Sequence, residues 1–564
     1  MRKVLQLCCL MLLIFKAQFS IAQVSSTSAD TFRIIQIIKA RNIRENSTDS
    51  LNKLESLSGD VMMQEGTTKF TCDSVVINKR LNTFEAFGNV HINQADSVFT
   101  SSQYLKYVGN DRIAYLKKNV KLTDKKGTLL TNELEYDLKT GIAKYVNGGK
   151  VINGKTILTS NEGTYYEDTK DVLFRYKVDM VDPKYKIKAD SLLYNMQFDK
   201  VTFIGPTVVT TKEGKIFTTQ GTYDLRTGNA FFGNHTLIKD SSGRTYQANS
   251  MAMDEKSGIS QLEGNGIVKD SANSFILTGN EIYFNKKNNS MLATKKPVMI
   301  FWDKRDTTYV SGDTLFSGFT KKVFVEDIIP QNDSVPIVPI AIGRTDSSKN
   351  ILAKNDSSKL ERVRKTKIIS TNKADTSIRY FLAYHHVKIF NDSLQSVSDS
   401  LFYSGADSVF RLFYDPVIWS GNSQVTGDTI FLFTKNKKAE RVYVFENGMI
   451  ANKINESYYN QIAGRTINGY FKNGVIDYIR AKGSPAESIY YLRDKDSAFT
   501  GMNHADGSVI DMYFIKQELN KVKFLNDVHG KLYPMRQIPQ DAKYLKNFNW
   551  LEKRRPKNKL ELFE

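Results

Sequence analysis

The sequence predicts an all-β protein built from tandem β-hairpins, and two patterns carry this prediction. Alternating apolar and polar residues flank turn signals in unit after unit, without helical periodicity. Short hairpins cannot bury an apolar face alone, so we expect stacked copies that share one core. The residue that ends the first strand of each unit recurs at spacings of 29 to 31 residues, at Ile77, Tyr107, Tyr136, Tyr165, Tyr194, Tyr223, Met253 and Phe284.

Each unit contains a strand, a turn and a returning strand. First strands open with a small residue followed by Asp or Asn, as in "ADSLLY" (189–194). Turns such as "YDLKTG" (136–141) place Gly where a positive φ is needed. Returning strands such as "GNVHI" (88–92) then alternate apolar and polar residues. This period excludes helical solenoids and four-stranded propeller blades, and it favours an extended antiparallel slab or a folded-over jelly roll.

One predicted strand has a parity problem, because the alternation of its side chains would place a charged residue on the buried face. Asp190, Leu192 and Tyr194 alternate onto one face, so a straight strand would bury the aspartate with the two apolar residues. We therefore expect the strand to bend or begin near Asp190.

The N-terminus has the layout of a secretory signal peptide. Arg2 and Lys3 precede an apolar run over residues 4–15, and Ser20-Ile21-Ala22 places small residues before Gln23. We predict export, and no later segment offers the ~20 apolar residues that a spanning helix needs. Cys72 is the one cysteine beyond the signal, which excludes an intramolecular disulfide and a cysteine metal cluster.

Composition shifts divide the chain further. Between the repeats, "KNDSSKLERVRKTK" and its surroundings lack periodicity, which is typical of disorder. The final "LEKRRPKNKLELFE" is charged and without a strand pattern, and predicts a solvated tail. The predicted segments are a signal peptide (1–22), an N-terminal linker (23–32), a β-repeat array (33–318), a disordered insertion (319–377), a second, looser array (378–540) and a charged C-terminal tail (541–564).

The chain is strongly basic, with a formal net charge of +19. The predicted signal holds three basic residues and no acidic one, which leaves +16 on the remainder. In an exported protein this favours a phosphorylated glycolipid or an anionic membrane face as partner, and not nucleic acid. The alternative is that lysines keep long β edges soluble and unpaired.

The repeated strand-turn-strand units, with Ala/Gly-Asp-x-Leu-x-Tyr followed by a Gly-Asn-Val-type return, resemble the OstA or LptA family of lipopolysaccharide-transport proteins, in particular its long OstA-like branch. The resemblance covers residues 33–318 well and 380–535 more loosely. It implies a twisted, V-shaped antiparallel β-jelly roll whose apolar groove shields lipopolysaccharide acyl chains in the periplasm, or at the outer-membrane periphery. It also implies other transport components of the inner and outer membrane as partners, and end-to-end self-association through edge strands.

Under this resemblance the apolar ladder becomes a lipid groove, although the residue pattern alone is more often that of a plain core. No cofactor is implied. The candidate groove residues are Val75, Ile77, Val90, Ile92, Leu105, Tyr107, Val120, Leu122, Leu134, Tyr136, Tyr165, Leu192, Tyr194, Tyr223, Met251, Met253, Ile282 and Phe284.

The sequence carries no enzyme signature, and we predict neither catalytic nor metal-binding residues. The Asp/Asn column could bind calcium, but Gln103 and Thr219 interrupt it, which favours a turn or corner role. His385 and His386 are adjacent strand residues that point to opposite faces, a poor metal site. The alternatives to a lipid carrier are a cell-envelope structural or adhesive scaffold and a polysaccharide-acting β-solenoid enzyme.

Overall fold

The computed structural model of the protein is all-β and falls into two compact units, a first unit (residues 1–201) and a second unit (residues 202–564). No α-helix occurs in the part of the chain that the structure describes, and no described helix could span a membrane. The structure describes residues 35–47, 53–233, 236–302, 306–320, 378–435, 438–472, 475–496, 498–515 and 518–563. The predicted signal peptide and linker, and all but the first two residues of the predicted insertion, lie outside these ranges.

The strands of the first unit are β1 (Gln36–Lys39), β2 (Asn42–Ser47), β3 (Lys53–Glu65), β4 (Thr68–Asn78), β5 (Thr83–Gln94), β6 (Val98–Val108), β7 (Ile113–Thr123), β8 (Thr128–Asp137), β9 (Ile142–Tyr145), β10 (Gly149–Asn153), β11 (Thr156–Ser160), β12 (Glu162–Tyr166), β13 (Asp171–Val181) and β14 (Tyr185–Asn195).

The strands of the second unit begin with β15, whose first two residues precede residue 202. They are β15 (Lys200–Thr211), β16 (Gly214–Asp224), β17 (Ala230–Phe232), β18 (Thr236–Asp240), β19 (Thr245–Ala248), β20 (Ser250–Asp254), β21 (Ile259–Asp270), β22 (Phe275–Asn285), β23 (Ser290–Thr294), β24 (Val298–Trp302), β25 (Thr307–Ser311), β26 (Thr314–Thr320), β27 (Ile378–Phe390), β28 (Gln395–Ser404), β29 (Val409–Phe413), β30 (Val417–Ser420), β31 (Ser423–Thr426), β32 (Thr429–Lys435), β33 (Lys438–Lys453), β34 (Tyr459–Lys472), β35 (Val475–Arg493), β36 (Phe499–Ile515), β37 (Glu518–Leu525) and β38 (His529–Pro534). Four short 3-10 helices follow, Met535–Gln537, Gln540–Lys543, Glu552–Arg554 and Lys559–Leu562.

Neighbouring strands pair antiparallel, and the predicted repeat column is in register. In the first unit, directly opposed residues run from strand to strand as Ile77, Phe84, Tyr107, Ala114, Tyr136, Ala143, Tyr165, Val172 and Tyr194. We call such a line of directly opposed residues a rung. In the second unit the rung runs through Tyr223, Ala230, Met253, Ser260, Phe284, Met291, Ser317, Phe381, Tyr403, Phe410, Leu432 and Val442. The all-β, tandem-hairpin prediction is confirmed.

Long strands bend at a two-residue corner. The corner opposite Asp190 consists of Tyr176 and Lys177, with φ values of 60° and 54°, and the register shifts between Arg175 and Val178. Two successive left-handed residues form a bulge that turns the strand sharply. Asp190 is exposed at this corner, so the expected bend is confirmed and the parity problem disappears.

The Asp/Asn column of the sequence lies at these corners. Asp73 accepts a hydrogen bond from the Asn89 side chain at 3.0 Å, and Asp428 accepts one from Asn447 at 3.1 Å. Asparagine tolerates the left-handed conformation better than most residues, and its amide then reaches the facing carboxylate. The column therefore has the corner role that the sequence favours.

Each bent strand has two arms, whose inner faces meet. We call the arm that holds the tyrosine column the A arm, and the other the B arm. In the first unit, Phe70 of a B arm contacts Phe84 and Tyr107 of A arms, with ring centroids 5.2 and 5.0 Å apart. Edge-on and tilted contacts of this kind are favourable between aromatic rings. The core is therefore the space between A and B arms.

The C-terminal segment is not the solvated tail that the sequence predicts. It crosses the strands of the second unit, and three buried glutamines hydrogen-bond its backbone or side chains. Gln461 bonds Lys543 and Leu545, Gln424 bonds Asn549 and Leu551, and Gln395 bonds Arg555, at 2.7 to 2.9 Å.

Apolar contacts explain why a charged segment packs here. Leu545 is 4% exposed and lies in a cluster with Met449, Ile489, Tyr491 and Met502. Sparse apolar residues every few positions anchor the segment, while most of its charged residues are exposed. Periodicity searches miss it because it forms neither a strand nor an α-helix.

We expect Leu545→Ala to lower the free energy of unfolding by about 2–5 kcal/mol, because it leaves a cavity among buried side chains. Urea denaturation followed by circular dichroism measures this. Leu560→Ala on the same segment is the matched control, since Leu560 is 64% exposed, and it should change stability by less than about 0.5 kcal/mol. Equal effects of the two substitutions would contradict the packing described.

Candidate functional site

The candidate site is the interior between the A and B arms, where the predicted groove residues lie. Fifteen of the eighteen candidates are buried. The other three, Tyr223, Met253 and Phe284, are partly exposed, and all three belong to the second unit. The structure thus brings the candidates onto one continuous inner surface within each unit, but it does not itself show a ligand role for them.

Large and small side chains alternate along the rung of the first unit. Tyr107, Tyr136 and Tyr165 are separated by Ala114 and Ala143, each directly opposite its neighbours. Strands lie about 4.8 Å apart, so successive tyrosines are about 10 Å apart, and an alanine between them makes room for the rings. Sequence reasoning identified the tyrosines but not these spacer alanines.

Tyrosine hydroxyls reach across to the ends of the B arms. Tyr107 donates a hydrogen bond to Glu65 at 2.5 Å. The Tyr136 hydroxyl lies 2.5 Å from the side-chain oxygen of Gln94 and 3.0 Å from a Glu167 carboxylate oxygen. Glu65 and Gln94 are the last residues of β3 and β5, so each contact links an A arm to a B-arm turn.

Two further tyrosines repeat the arrangement. Tyr165 donates to Asp124 at 2.8 Å, and Asn153 donates to the Tyr194 hydroxyl at 2.7 Å. Tyr194 in turn donates to Asp199 at 2.9 Å. We call this line of contacts the tyrosine seam: Tyr107, Tyr136, Tyr165 and Tyr194 with Glu65, Gln94, Asp124 and Asn153.

The electrostatics of the seam follow from its burial. Burial, reinforced by nearby carboxylates, raises the pKa of the Tyr107, Tyr136 and Tyr165 hydroxyls far above the usual value, and burial does the same for Tyr194. Burial would also raise the pKa of Asp124, but bonds from the Gly127 backbone, Tyr165 and the Lys126 backbone hold it below its ordinary value. The seam therefore pairs neutral phenols with a charged aspartate.

The seam joins the arms through side chains. In the described part of the first unit, the backbone ladders run between neighbouring strands within the A arms or within the B arms. The two arms of a strand are covalently continuous at the corner. The roll is thus closed by peptide bonds on one side and by tyrosine hydrogen bonds on the other.

The interior of the first unit is filled with side chains. A cavity of about 20 Å³ lies beside Leu122, Tyr165, Val172 and Met196, which is room for about one water molecule. An acyl chain therefore fits between the arms only if they separate.

The second unit has a different seam. Arg244 pairs with Asp270 at 3.1 Å, and both side chains are almost fully buried. The Arg244 guanidinium also lies 5.6 Å from the Phe284 ring and 3.1 Å from the Asn289 side-chain oxygen. Where A arms meet the B-arm turns, the second unit thus has a buried guanidinium group, whereas the first unit has tyrosine hydroxyls.

Sequence reasoning missed the polar partners of the seam, although a signal for them exists. Glu65, Gln94, Asp124 and Asn153 are spaced by 29 or 30 residues, the same period as the tyrosines. Each stands at or just beyond the end of a B-arm strand. A search for periodic polar residues at strand ends, offset by 41 or 42 residues from the tyrosines, would have found them.

The remaining residues noted in the sequence, His385, His386 and Cys72, have structural surroundings that explain them. His385 lies 3.1 Å from Asp399 and His386 lies 3.0 Å from Asp313, so the two rings meet different carboxylates at one corner. Cys72 is buried, and burial raises the pKa of its thiol to about 12. Within the described ranges, no group of three or more metal-ligating side chains comes together.

Residues 33–190 match the sequence model of the family described as OstA-like protein. The matched stretch lies within the first unit and includes every residue of the tyrosine seam except Tyr194. A search of curated proteins finds no match to this chain.

We expect Tyr165→Phe to lower the free energy of unfolding by about 1–3 kcal/mol, because Asp124 loses a hydrogen bond while it remains buried. Urea denaturation at pH 7 provides the measurement. Tyr115→Phe is the control, since the Tyr115 ring is 37% exposed, and it should be nearly neutral. If both substitutions cost the same, the seam does not contribute to stability.

Stability should also fall above pH 10. Burial raises the pKa of Tyr145 to about 12, whereas an unfolded tyrosine ionises near pH 10. A raised folded pKa contributes stability below the unfolded pKa and loses it as pH rises, so at pH 11 Tyr145 alone should cost about 1 kcal/mol. Urea midpoints at pH 8 and pH 11, with tyrosinate absorbance to separate phenols from lysines, measure this. An unchanged midpoint would contradict it.

Proposed function

With an OstA-like segment over residues 33–190 as the premise, we propose that the protein is a non-enzymatic carrier that shields lipopolysaccharide acyl chains between its A and B arms. It would do so in the periplasm, during transport to the outer membrane. The observation that carries the proposal is the one-sided closure of the first unit, in which an apolar interior is sealed by side chains alone along the tyrosine seam.

The energetics of opening are compatible with lipid entry. Each seam hydrogen bond contributes on the order of 1 kcal/mol net. Burial of one methylene is favourable by about 0.8 kcal/mol, so a few methylenes per repeat offset the hydrogen bonds that opening breaks. The corners keep the arms connected during this opening, because they are continuous backbone.

Repetition supports movement along the roll. Four successive repeats of the first unit offer a tyrosine with a polar partner at nearly the same spacing, and an alanine lies beside Tyr107, Tyr136 and Tyr165. A lipid that passes from repeat to repeat therefore exchanges similar contacts, and no single position binds it much more tightly than the others. The net charge of +19 suits a phosphorylated glycolipid.

The proposal extends to partners. A carrier of this kind would receive lipid from inner-membrane transport components and pass it to those of the outer membrane. Copies could also join end to end, because β38 at one end of the described strands is exposed along most of its length.

The second candidate is a structural scaffold of the cell envelope. The filled interior of the first unit favours it, since a roll that never opens is simply a stable repeat. The two functions differ in whether lipid reaches the buried rung.

A photo-crosslinking amino acid at position 136 or 194 should capture lipopolysaccharide in cells, because both side chains lie inside the roll at 0% and 1% exposure. Gel shift of the crosslinked protein and detection with an antibody against the glycolipid provide the measurement.

The controls are Lys139 and Arg226, which are exposed turn residues and should not crosslink. Circular dichroism of each variant checks that the fold is retained. Equal capture at turn and interior positions, or none at 136 and 194 in folded protein, would remove the carrier function and leave the scaffold.

A further inference from the structure

Arg379 points into the interior of the second unit. It lies on β27 two residues before Phe381 and four before Ala383, which are 3% and 0% exposed on the same strand face. Side chains two apart on a strand share a face, so Arg379 belongs to the inner surface near the strand end. A cation at an inner position requires a partner or a function.

The guanidinium group is stacked but incompletely bonded. Its central carbon lies 4.8 Å from the Phe275 ring and 4.6 Å from the Phe319 ring. Nη1 donates to Ser317 at 3.2 Å, whereas the buried Nη2 has no hydrogen-bond partner among the described residues. Two aromatic faces hold the group in place, and part of its donor edge is unused.

Nearby charges do not neutralise it. Asp270, whose charge acts on Arg379, already pairs with Arg244 at 3.1 Å and accepts a bond from Asn273 at 2.8 Å. Burial lowers the pKa of Arg379, and Arg244 lowers it further. An arginine nevertheless stays protonated, and among the described residues no carboxylate forms an ion pair with Arg379.

The place of this charge suits a ligand headgroup. Phe275 is the first residue of a B-arm strand, and Arg379 lies near the end of an A-arm strand, so their contact spans the seam. Arg379 itself is only partly covered, as are Tyr223, Met253 and Phe284 on the rung of this unit. In the first unit the corresponding positions hold the carboxylates Glu65 and Asp124, and the cations beside them, Arg112 and Lys170, already pair with these carboxylates at 3.6 and 3.7 Å.

We propose that Arg379, with Arg244 behind it, forms a recognition site for the phosphate of an acylated lipid, held where the acyl chains enter between the arms of the second unit. The inference rests on the proposed carrier function and adds to it the headgroup chemistry and the place of recognition. Guanidinium groups bind phosphate oxygens through paired, charge-assisted hydrogen bonds. The lipid phosphate would occupy the unused donor edge, while the chains contact Phe275 and Phe319.

The test uses the full-length protein and two lipids with identical chains, dioleoyl phosphatidic acid and dioleoylglycerol, in neutral detergent micelles. Equilibrium binding of radiolabelled lipid should show that wild type prefers the phosphorylated lipid by about tenfold. Arg379→Gln should reduce this preference to about twofold or less, and Arg379→Lys should retain part of it. Binding of dioleoylglycerol should be unchanged in both variants.

Arg465→Gln is the matched control, because Arg465 is an exposed arginine of the same unit paired with Glu446, and its preference should equal that of wild type. Thermal unfolding shows whether each variant is folded. An unchanged preference in folded Arg379→Gln would overturn the headgroup site while leaving the carrier intact.

Two further outcomes separate the sources of failure. Absence of binding for both lipids would contradict the carrier function itself. Inorganic phosphate that binds Arg379 as tightly as the lipid, and displaces it, would show a free-anion site and overturn the lipid assignment.

Discussion

The structure depends on two-residue left-handed corners, which bend returning strands such as β7 and β13 while their partner strands carry no positive φ. Tyr176 and Lys177 illustrate one: two positive φ values shift the register and turn the chain back over its own inner face. Because the corner is continuous backbone, the arms on either side remain attached whatever happens between them. Everything else follows from this, including the buried space, the placement of turns along one side, and the exposure of Asp190.

The opposite side of the first unit is closed by side-chain hydrogen bonds, which can break without the loss of a covalent bond. Phenols of the first unit meet carboxylates and amides at the B-arm turns, and burial keeps these phenols neutral. Neutral-to-charged hydrogen bonds such as Tyr165 to Asp124 contribute about 1–3 kcal/mol net against water, and unlike the peptide bonds of the corner they can break and re-form. Spacer alanines such as Ala114 let the rings interdigitate without strain. Under the proposed carrier function, a chain-like apolar ligand would replace some of these internal contacts.

The two units use the same backbone plan for different electrostatics. Tyrosine hydroxyls meet polar partners along the seam of the first unit, whereas the buried Arg244 and the ring-stacked Arg379 bring guanidinium groups to the interior of the second. The C-terminal segment adds a further difference, since it covers Trp419 and Ile489 on the second unit through buried glutamines and apolar anchors. These differences give the second unit a chemistry that the repeat pattern alone does not suggest.

The sequence by itself determined the period, the antiparallel hairpins and the tyrosine column, because spacing and alternation are local properties that backbone hydrogen bonding converts directly into register. It also indicated the bend at Asp190, since parity forbids a straight strand there. It could not determine that Glu65 meets Tyr107, that Arg379 stacks between Phe275 and Phe319, or that Leu545 is buried. Those contacts join residues more than 40 positions apart, or lie outside any periodic element, and they arise only when the corners fold one arm onto the other. Which side chains meet across that space is decided by tertiary packing, because the same alternation would serve an open sheet equally well.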